Sequence, residues 1–305
     1  MAAKRKNKKI IYIIFVLIFA VLSAFGVDNY DKLFGDLPWN STEDYTTEFN
    51  DFKVHYIDVG QGDCSLVEAD GKFMLIDAGE NGHERQVINY LRSAGVQKLD
   101  YVIATHQHSD HIGGLPEVLD EFAVDNIIMP RLTEAQTPTN STYKAFLKAV
   151  KNSGAKVIAS KADAVYTLGS GSFVLLGPVT NDAEDINNMS VFVKVTYGEN
   201  SFLFTGDGET EEEMEILDTG ADLNCDVLHA GHHGSYTSSS KEFLDVATPE
   251  ICVISCGADN DYGHPHDAAL KRIKKYTDEI YRTDICGSIV IQSDGRELSV
   301  SYENQ

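Results

Sequence analysis

Basic residues are scarce in this sequence, which holds 25 Lys and Arg against 47 Asp and Glu in 305 residues. The formal net charge is −22, and a surface of that sign repels phosphate backbones at long range. We therefore expect no extensive nucleic-acid-binding face. A local pocket can still bind a phosphodiester, because bound divalent cations reverse the sign of the charge there.

Cysteine is also sparse, and the sequence has no tandem repeat of fixed period. An odd number of cysteines argues against a full disulfide framework if the domain lies outside the cell, and their spacing matches no paired zinc knuckle. We predict that most of them are small buried apolar residues. They are Cys64, Cys225, Cys252, Cys256 and Cys286.

Acidic residues are absent before Asp28, whereas five basic residues precede an uncharged, mostly apolar run at 10–27. At about 1.5 Å per residue this run can just span a hydrocarbon core. We expect residues 1–27 to be a signal anchor or signal peptide, with its basic end in the cytoplasm. The remainder would be extracellular at the cell membrane, or secreted if cleavage occurs near Gly26. A polar linker at 28–50 would lead to a folded domain at 51–305.

Alternating and helical apolar patterns follow one another through the body of the chain, which favours an α/β fold with helices packed outside sheets. Helices are predicted at 84–94, 115–122, 142–153, 209–217, 241–246 and 268–276. Strands are predicted at 52–59, 64–68, 72–76, 101–104, 126–129, 156–160, 173–176, 191–197, 201–204, 226–229, 251–255, 288–292 and 297–301.

Three histidines and one aspartate lie within six residues, directly after the predicted strand at 101–104: His106, His108, Asp110 and His111. Imidazole nitrogens and carboxylate oxygens are zinc ligands, and they also suit manganese or iron. In a tight loop, positions 106 and 108 can face one ion while 110 and 111 face another. The alternative is a polar loop that arose by chance.

This segment resembles the His-x-His-x-Asp-His signature of the metallo-β-lactamase superfamily. Further blocks are similar to the hydrolase domain of ComEC-type competence proteins, and they run in order at 58–63, 75–79, 187–190, 204–207, 231–235, 262–265 and 282–284. The resemblance covers roughly 54–300 and implies an αββα sandwich. Since there is one apolar N-terminal segment, we interpret the chain as a stand-alone, membrane-anchored or secreted version of that domain.

The resemblance implies two divalent ions, Zn or Mn, with ligands from both halves of the domain. His106 and His108 would bind the first ion, and Asp110, His111 and His232 would bind the second. Asp207 would bridge both ions. Alternatively, Asp207 caps the helix at 209–217.

Glyoxalase-like members of the superfamily carry a further His ligand between the first cluster and the bridging Asp. No His lies between His111 and Asp207 here. The first ion would therefore lack a ligand, unless water, Asp182, Asp185 or an Asn supplies it.

Substrate contacts are predicted in the later blocks, at Asn188, Ser190, His233 and Ser235. Asn188 and Ser190 are alternatively part of the site's architecture, or a turn entering the strand at 191–197. Asp110 would orient the nucleophile and His264 would protonate the leaving group. His229 and His266 are weaker candidates, and His55 and His83 are interpreted as structural or solvated.

The implied function is hydrolysis of a phosphodiester, in DNA or a small molecule, through a metal-bound hydroxide. Hydrolysis of another ester, a thioester or a lactam would use the same chemistry. The same ligands are also compatible with a non-catalytic extracellular metal-binding scaffold and with an iron-dependent redox enzyme. We predict the membrane as a partner through residues 10–27, and we predict no obligate protein partner.

Overall fold

A computed structural model describes residues 52–304. The predicted signal segment at 1–27 and the linker at 28–50 lie outside the described residues. Within 52–304, no helix has the length and apolar character needed to cross a membrane.

Fifteen strands within 52–304 form two sheets. They are β1 Phe52–Tyr56, β2 Ser65–Ala69, β3 Lys72–Ile76, β4 Lys98–Ile103, β5 Ala123–Met129, β6 Lys156–Ala159, β7 Val165–Leu168, β8 Gly171–Leu175, β9 Val193–Tyr197, β10 Asn200–Phe204, β11 Val227–His229, β12 Ile251–Ile254, β13 Glu279–Arg282, β14 Ile289–Ser293 and β15 Leu298–Tyr302. The first sheet has the order β15-β14-β1-β2-β3-β4-β5-β6, and the second has the order β13-β12-β11-β10-β9-β8-β7.

The two sheets share one plan. Strands β1 to β3 pair antiparallel, and β3 to β6 pair parallel. Likewise, β7 to β10 pair antiparallel, and β10 to β13 pair parallel. Because parallel neighbours end at the same edge of their sheet, the loops after β3, β4, β10, β11 and β12 are available to build a site.

Eight α-helices and two 3₁₀ turns complete the described chain. The helices are α1 Glu84–Ser93, α2 Ser109–Ile112, α3 Leu115–Glu121, α4 Ser141–Ser153, α5 Thr210–Asp218, α6 Lys241–Ala247, α7 Asp267–Ile273 and α8 Thr283–Cys286. The 3₁₀ turns are Ile186–Met189 and Gly231–Gly234.

Three buried apolar clusters define four layers. The middle cluster lies between the two sheets and includes Phe52, Tyr56, Phe202 and Phe204. A second cluster joins the first sheet to α1, α3 and α4. A third joins the second sheet to α5, α6 and α7. The expected αββα sandwich is therefore present, since each sheet buries one face on the other sheet and one face under helices.

All six helices expected from the sequence are present with small shifts at their ends. Strands β7 and β13, the two outer strands of the second sheet, were not predicted from the sequence. Each has only four residues and is partly solvent-accessible. The five cysteines are free thiols, and four of them are buried.

Candidate metal centre

The histidine loop begins where β4 ends and contains α2. His106 and His111 are fully buried there. Asp77, just after β3, accepts hydrogen bonds from the Thr105 N–H (2.8 Å) and hydroxyl (2.5 Å), and its Oδ2 lies 2.8 Å from His111 Nδ1. The backbone of Asp77 is left-handed, with φ 57°, a conformation that Asp tolerates better than most residues. This carboxylate therefore sets the orientation of the His111 ring.

The opposite side of the centre comes from loops after β10 and β11, which are parallel neighbours. Asp207 follows β10, and its N–H donates to Ser190 Oγ at 3.1 Å. After β11, the N–H of His232 donates to the Gly206 carbonyl at 2.9 Å. His232 and His233 are both left-handed, with φ 52° and 54°. Backbone hydrogen bonds thus hold two successive imidazoles beside one carboxylate.

The Asp207 carboxylate is shared by two groups of potential ligand atoms. Within each group these atoms lie within 4.8 Å of one another: His106, His108 and Asp207 form the first group, and Asp110, His111, Asp207 and His233 form the second. Asp207 Oδ1 lies 3.1 Å from His111 Nε2, and Oδ2 lies 3.8 Å from His106 Nε2. One oxygen thus faces each group, which is the arrangement of a bridging ligand.

Two further buried carboxylates support the imidazoles from behind. Asp63 Oδ1 lies 3.2 Å from His233 Nδ1, and Asp77 binds His111 on the side away from Asp207. Asp63, Asp77 and His111 also form a close group of potential ligand atoms. Carboxylates that bind the second nitrogen of a metal-ligating His fix its tautomer and raise its basicity. Sequence analysis gave neither aspartate a site role, although both stand in blocks that carry the family resemblance.

The donor atoms fit a divalent cation. His111 Nε2 and Asp207 Oδ1 are buried and lie 3.1 Å apart, but neither forms a well-aligned hydrogen bond within residues 52–304. Buried polar atoms of native proteins are normally satisfied, so each such exception needs an explanation. Imidazole nitrogens and carboxylate oxygens around one point are the donor set of zinc, manganese and iron sites.

Strong electrostatic coupling accompanies this geometry. Burial lowers the pKa of His111, but the Asp207 and Asp77 carboxylates outweigh it and raise that pKa well above its ordinary value. Burial raises the pKa of Asp207, but His111 and His233 hold it well below the usual range. Burial, with His111 adding to it, lowers the pKa of His106 well below its ordinary value. Cationic charge thus stabilises the Asp207 carboxylate.

The structure places His233, rather than His232, in the second donor group. His233 Nε2 lies 3.2 Å from Asp110 Oδ2 and 3.5 Å from Asp207 Oδ1. His232 Nε2 lies 3.7 Å from Asp207 Oδ2, and its Nδ1 lies 3.3 Å from Glu209 Oε1. The family resemblance implied that His232 binds the metal and that His233 contacts the substrate. Only the left-handed turn decides which of two adjacent histidines faces which way, and no sequence pattern marks it.

A cavity of about 290 Å³ opens onto the centre. Its wall includes six residues that the sequence analysis selected, namely His108, Asp110, Asp207, His232, His233 and His264. The other lining residues are Gln61, Ser109, Asn140, Asn187 and Tyr262. Burial, with the neighbouring His233 and His232, lowers the pKa of His264 to about 4. The His264 ring stacks on Tyr262, with centroids 5.7 Å apart.

Three predicted substrate contacts lie behind this wall instead. Asn188 Oδ1 accepts from the Glu209 N–H at 2.9 Å. Ser190 supports the Asp207 loop through its Oγ. Ser235 Oγ lies 2.9 Å from the Thr237 hydroxyl and is buried. All three side chains brace loops, which agrees with the architectural alternative for Asn188 and Ser190.

The weaker histidine candidates also lie outside the cavity wall. His229 Nε2 is 2.8 Å from Ser255 Oγ, and His266 Nδ1 accepts from the Tyr236 N–H at 3.1 Å. His55 is buried against the Tyr90 hydroxyl. These contacts support a structural role for all three histidines.

Comparison with known proteins identifies the family. Residues 57–258 match the model described as "Metallo-beta-lactamase superfamily". The chain belongs to the metallo-beta-lactamase superfamily. It is accordingly an enzyme of a metal-dependent hydrolase family, and the two donor groups around Asp207 are its candidate metal centre.

Relatives place this metallo-beta-lactamase domain with those of the ComEC-type competence proteins, as the sequence blocks predicted. ComE operon protein 3 of Bacillus subtilis is 31% identical over 255 residues, covering 78% of this chain and 32% of the relative. Competence protein ComA of Neisseria gonorrhoeae is 30% identical over 242 residues, covering 79% and 32%. The chain thus spans about a third of the length of these relatives.

A solved structure confirms the fold at low sequence identity. CmlA, a diiron beta-hydroxylase from Streptomyces venezuelae, superposes with a TM-score of 0.54 at 14% identity. The match covers 80% of this chain and 54% of CmlA. It shows that the two chains share the sandwich architecture of the metallo-beta-lactamase fold.

Proposed function

We propose that this protein hydrolyses phosphodiester bonds with two divalent ions, Zn or Mn. His106 and His108 would hold the first ion, Asp110, His111 and His233 the second, and Asp207 both. The shared Asp207 carboxylate is the observation that carries the proposal. Bound ions of this kind supply a water molecule of lowered pKa and stabilise negative charge on the attacking and leaving oxygens of an in-line displacement.

The chain's own cavity residues suit an anionic substrate. Gln61 Oε1 accepts from the Gly257 N–H at 3.1 Å, which fixes the amide with its Nε2 as the remaining donor. Nε2 is buried and has no hydrogen-bond partner in the described part of the chain. An amide donor held this way on the cavity wall can bind a non-bridging phosphate oxygen, and a charged acceptor strengthens that bond.

The mouth of the cavity offers a surface for a nucleobase. Tyr262 lines the cavity and is 66% exposed, while its inner face stacks on His264. Stacking of a base on an aromatic ring is favourable for every base and needs no sequence readout. The pKa of about 4 leaves His264 neutral at pH 7. We therefore assign it a hydrogen bond from its N–H to the leaving oxygen, in place of the proton transfer predicted from the sequence.

Size and charge restrict the substrate class. A cavity of about 290 Å³ accommodates a group the size of one nucleotide rather than a duplex. The net charge of −22 disfavours long contacts with a polyanion. We therefore favour a small phosphodiester, or a short single strand whose end enters the cavity. The relationship to ComEC-type proteins supports DNA as the polymer.

A substrate panel tests this assignment. The purified protein would be incubated with single-stranded DNA, with bis-nitrophenyl phosphate and with nitrocefin, each under added Mn²⁺ or Zn²⁺. We expect phosphodiester cleavage that disappears in the His108→Ala and Asp110→Ala variants. Turnover of nitrocefin, with no phosphodiester cleavage under either metal, would contradict the proposal.

We also propose that residues 10–27 tether the enzyme to the cell membrane with the hydrolase domain outside. The support is the basic cluster that precedes this apolar run, which keeps its N-terminal end in the cytoplasm. Protease added to intact cells would then degrade the domain. Full protection on intact cells, with the protein recovered in the cytosolic fraction, would overturn this topology.

A further inference from the structure

The two donor groups around Asp207 are unequal. The second has four protein ligands, whereas the first has three, namely His106, His108 and Asp207. Protein sites for zinc use at least four ligands in total, and manganese takes more. No His lies between His111 and Asp207 to supply the missing donor. His232 Nε2 lies 3.7 Å from Asp207 Oδ2, the oxygen that faces the first group, but its Nδ1 lies 3.3 Å from Glu209 Oε1 and it is not a member of that group. A further ligand to the first ion would therefore be this imidazole, another residue type or solvent.

Asn187 has an unsatisfied acceptor and lines the same cavity. The residue is 7% exposed, and it lines the cavity together with His108 and Asp207. Its Oδ1 is buried and finds no hydrogen-bond partner within residues 52–304. A carbonyl oxygen left unpaired in a buried position costs free energy unless a ligand satisfies it. A divalent cation is the ligand that the neighbouring donors already require.

The other acidic and amide residues suggested by the sequence are occupied elsewhere. Asp182 and Asp185 are exposed, and Asp185 Oδ1 accepts from the Asn187 N–H at 2.9 Å. The Asn188 amide donates to Glu211 Oε2 at 3.1 Å, and its oxygen accepts from the Glu209 N–H. Neither aspartate lines the cavity.

Hydrogen bonds hold the Asn187 turn on the Asp207 loop. The Ser190 N–H donates to the Asn187 carbonyl at 3.1 Å, and Ser190 Oγ accepts from the Asp207 N–H. Asn188 binds the backbone at Glu209, two residues beyond Asp207. The 3₁₀ turn Ile186–Met189 and the loop that carries Asp207 are thus linked twice, through Asn188 and Ser190, directly after Asn187. Such pre-organisation is what a metal ligand needs.

We propose that the side-chain oxygen of Asn187 is the missing ligand to the ion held by His106, His108 and Asp207. The proposal rests on the two-ion site of the proposed function, but not on the identity of the substrate. An amide oxygen is a harder ligand than an imidazole nitrogen. A first site with Asn187 in place of a third histidine should therefore favour manganese over zinc more than a three-histidine site does.

Metal binding, measured without any substrate, tests the inference. The full-length protein and its variants would be stripped of metal, and equilibrium dialysis with elemental analysis would give the number and affinity of bound Mn²⁺ and Zn²⁺. We expect two ions per wild-type chain. In Asn187→Ala, one ion should stay at wild-type affinity, and the other should bind at least tenfold more weakly.

Two replacements keep the test decisive if the alanine variant folds poorly. Asn187→Asp retains an oxygen ligand and should preserve both ions. Asn187→His supplies a nitrogen and should shift the preference of the weaker ion towards Zn²⁺. The control is Asn140→Ser, because Asn140 lines the same cavity and caps α4, and Ser is an equally good cap. It should bind both ions like the wild type.

Two results would overturn the inference. One is binding of both ions by Asn187→Ala at wild-type affinity. The other is a wild-type protein that binds only one ion, with an affinity that the Asn187 variants do not change. If the predicted losses appear while the enzyme cleaves no phosphodiester, the substrate proposal fails and the assignment of Asn187 stands.

Discussion

Asp77 determines which nitrogen of His111 is free to bind a metal ion. It accepts from Thr105 twice and binds His111 Nδ1, so Nε2 is left facing Asp207. The negative charge of Asp77 also acts on His111, because this carboxylate contributes to the raised pKa of the imidazole. A carboxylate that never reaches the cavity therefore controls both the direction and the basicity of a ligand.

Replacing Asp77 with Asn should weaken metal binding by roughly 10–100-fold, as is usual for such supporting partners. The amide keeps the shape but removes the charge that favours a basic imidazole. Isothermal titration of the metal-free protein with Zn²⁺ would measure the loss. Asp100→Asn is the matched control, because Asp100 also accepts a backbone N–H at a strand, from Phe73, away from the centre. Equal affinity in wild type and Asp77→Asn would refute this role.

At Gln61, the Nε2 hydrogen-bond donor can be removed with little change in the shape of the side chain. Gln61→Glu keeps an oxygen for the Gly257 N–H, but it replaces the cavity-facing NH₂ with a charged oxygen. We expect KM for bis-nitrophenyl phosphate to rise roughly tenfold or more, since a hydrogen bond to a charged group contributes about 1.5–3 kcal/mol. Steady-state kinetics at saturating metal would measure it. An unchanged KM, with the metal content also unchanged, would remove Gln61 from the substrate site.

Hydrogen bonds hold the 3₁₀ turn Ile186–Met189 to the start of α5. Asn188 joins them, since its oxygen accepts from the Glu209 N–H and its amide donates to Glu211. Asp207 stands just before this junction, so the junction fixes the carboxylate that we propose bridges the two ions. On this basis Asn188 belongs to the scaffold of the site, in contrast to its predicted contact with substrate.

Asn188→Ala should lower the free energy of unfolding by about 1 kcal/mol, because the partly buried Glu209 N–H loses its acceptor. At full metal occupancy we expect KM to stay near the wild-type value. Urea unfolding and steady-state kinetics on the same preparation separate the two roles. A large increase in KM with unchanged stability would instead support a direct contact between Asn188 and the substrate.

Helix α5 also carries a buried acid that opposes folding at neutral pH. Burial, with Glu215 and Glu213 adding to it, raises the pKa of Glu212 well above its ordinary value. The folded chain therefore binds this proton more tightly than the unfolded chain does. Its stability is then greatest below the ordinary pKa of Glu and falls as the pH rises towards the raised pKa.

Glu212→Gln should remove this pH dependence and stabilise the metal-free protein at pH 7. Urea unfolding from pH 5 to pH 8 in the presence of a chelator would show a flatter profile for the variant. Glu242→Gln, an exposed change on α6, should keep the wild-type profile. If Glu212→Gln retained the wild-type slope, the raised pKa would not contribute to stability.

Sequence patterns predicted the elements best where burial is strong. The interior strands and all six longer helices carry apolar periodicity. The four-residue outer strands β7 and β13 were not predicted, although the comparably exposed outer strands β6 and β15 were. The histidine loop could be singled out because its four potential ligands lie within six residues of one another in the sequence. The choice between His232 and His233, and the positions of Asp63, Asp77 and Asn187, depend on left-handed turns and on contacts between distant loops. Periodicity and local spacing contain no information about either.

At the scale of the whole molecule, the charge distribution sets how a polymer reaches the centre. The net charge of −22 opposes the approach of any polyanion, while the proposed ions attract a phosphate only within the cavity. Screening in salt acts over about 10 Å at 0.1 M. Added salt should therefore weaken the long-range repulsion far more than the short contacts at the centre.

We accordingly expect kcat/KM for a single-stranded oligonucleotide to rise severalfold as NaCl increases from about 20 mM to about 200 mM, within the range where screening of surface charge changes most. A nuclease that binds DNA through a basic face behaves in the opposite way, because salt displaces its phosphate contacts. Bis-nitrophenyl phosphate carries a single charge and should respond little, which separates screening from any effect of salt on metal occupancy. If the rate on the oligonucleotide fell steeply with salt, a basic binding path would have to exist, and the expectation of no extensive nucleic-acid-binding face would be wrong.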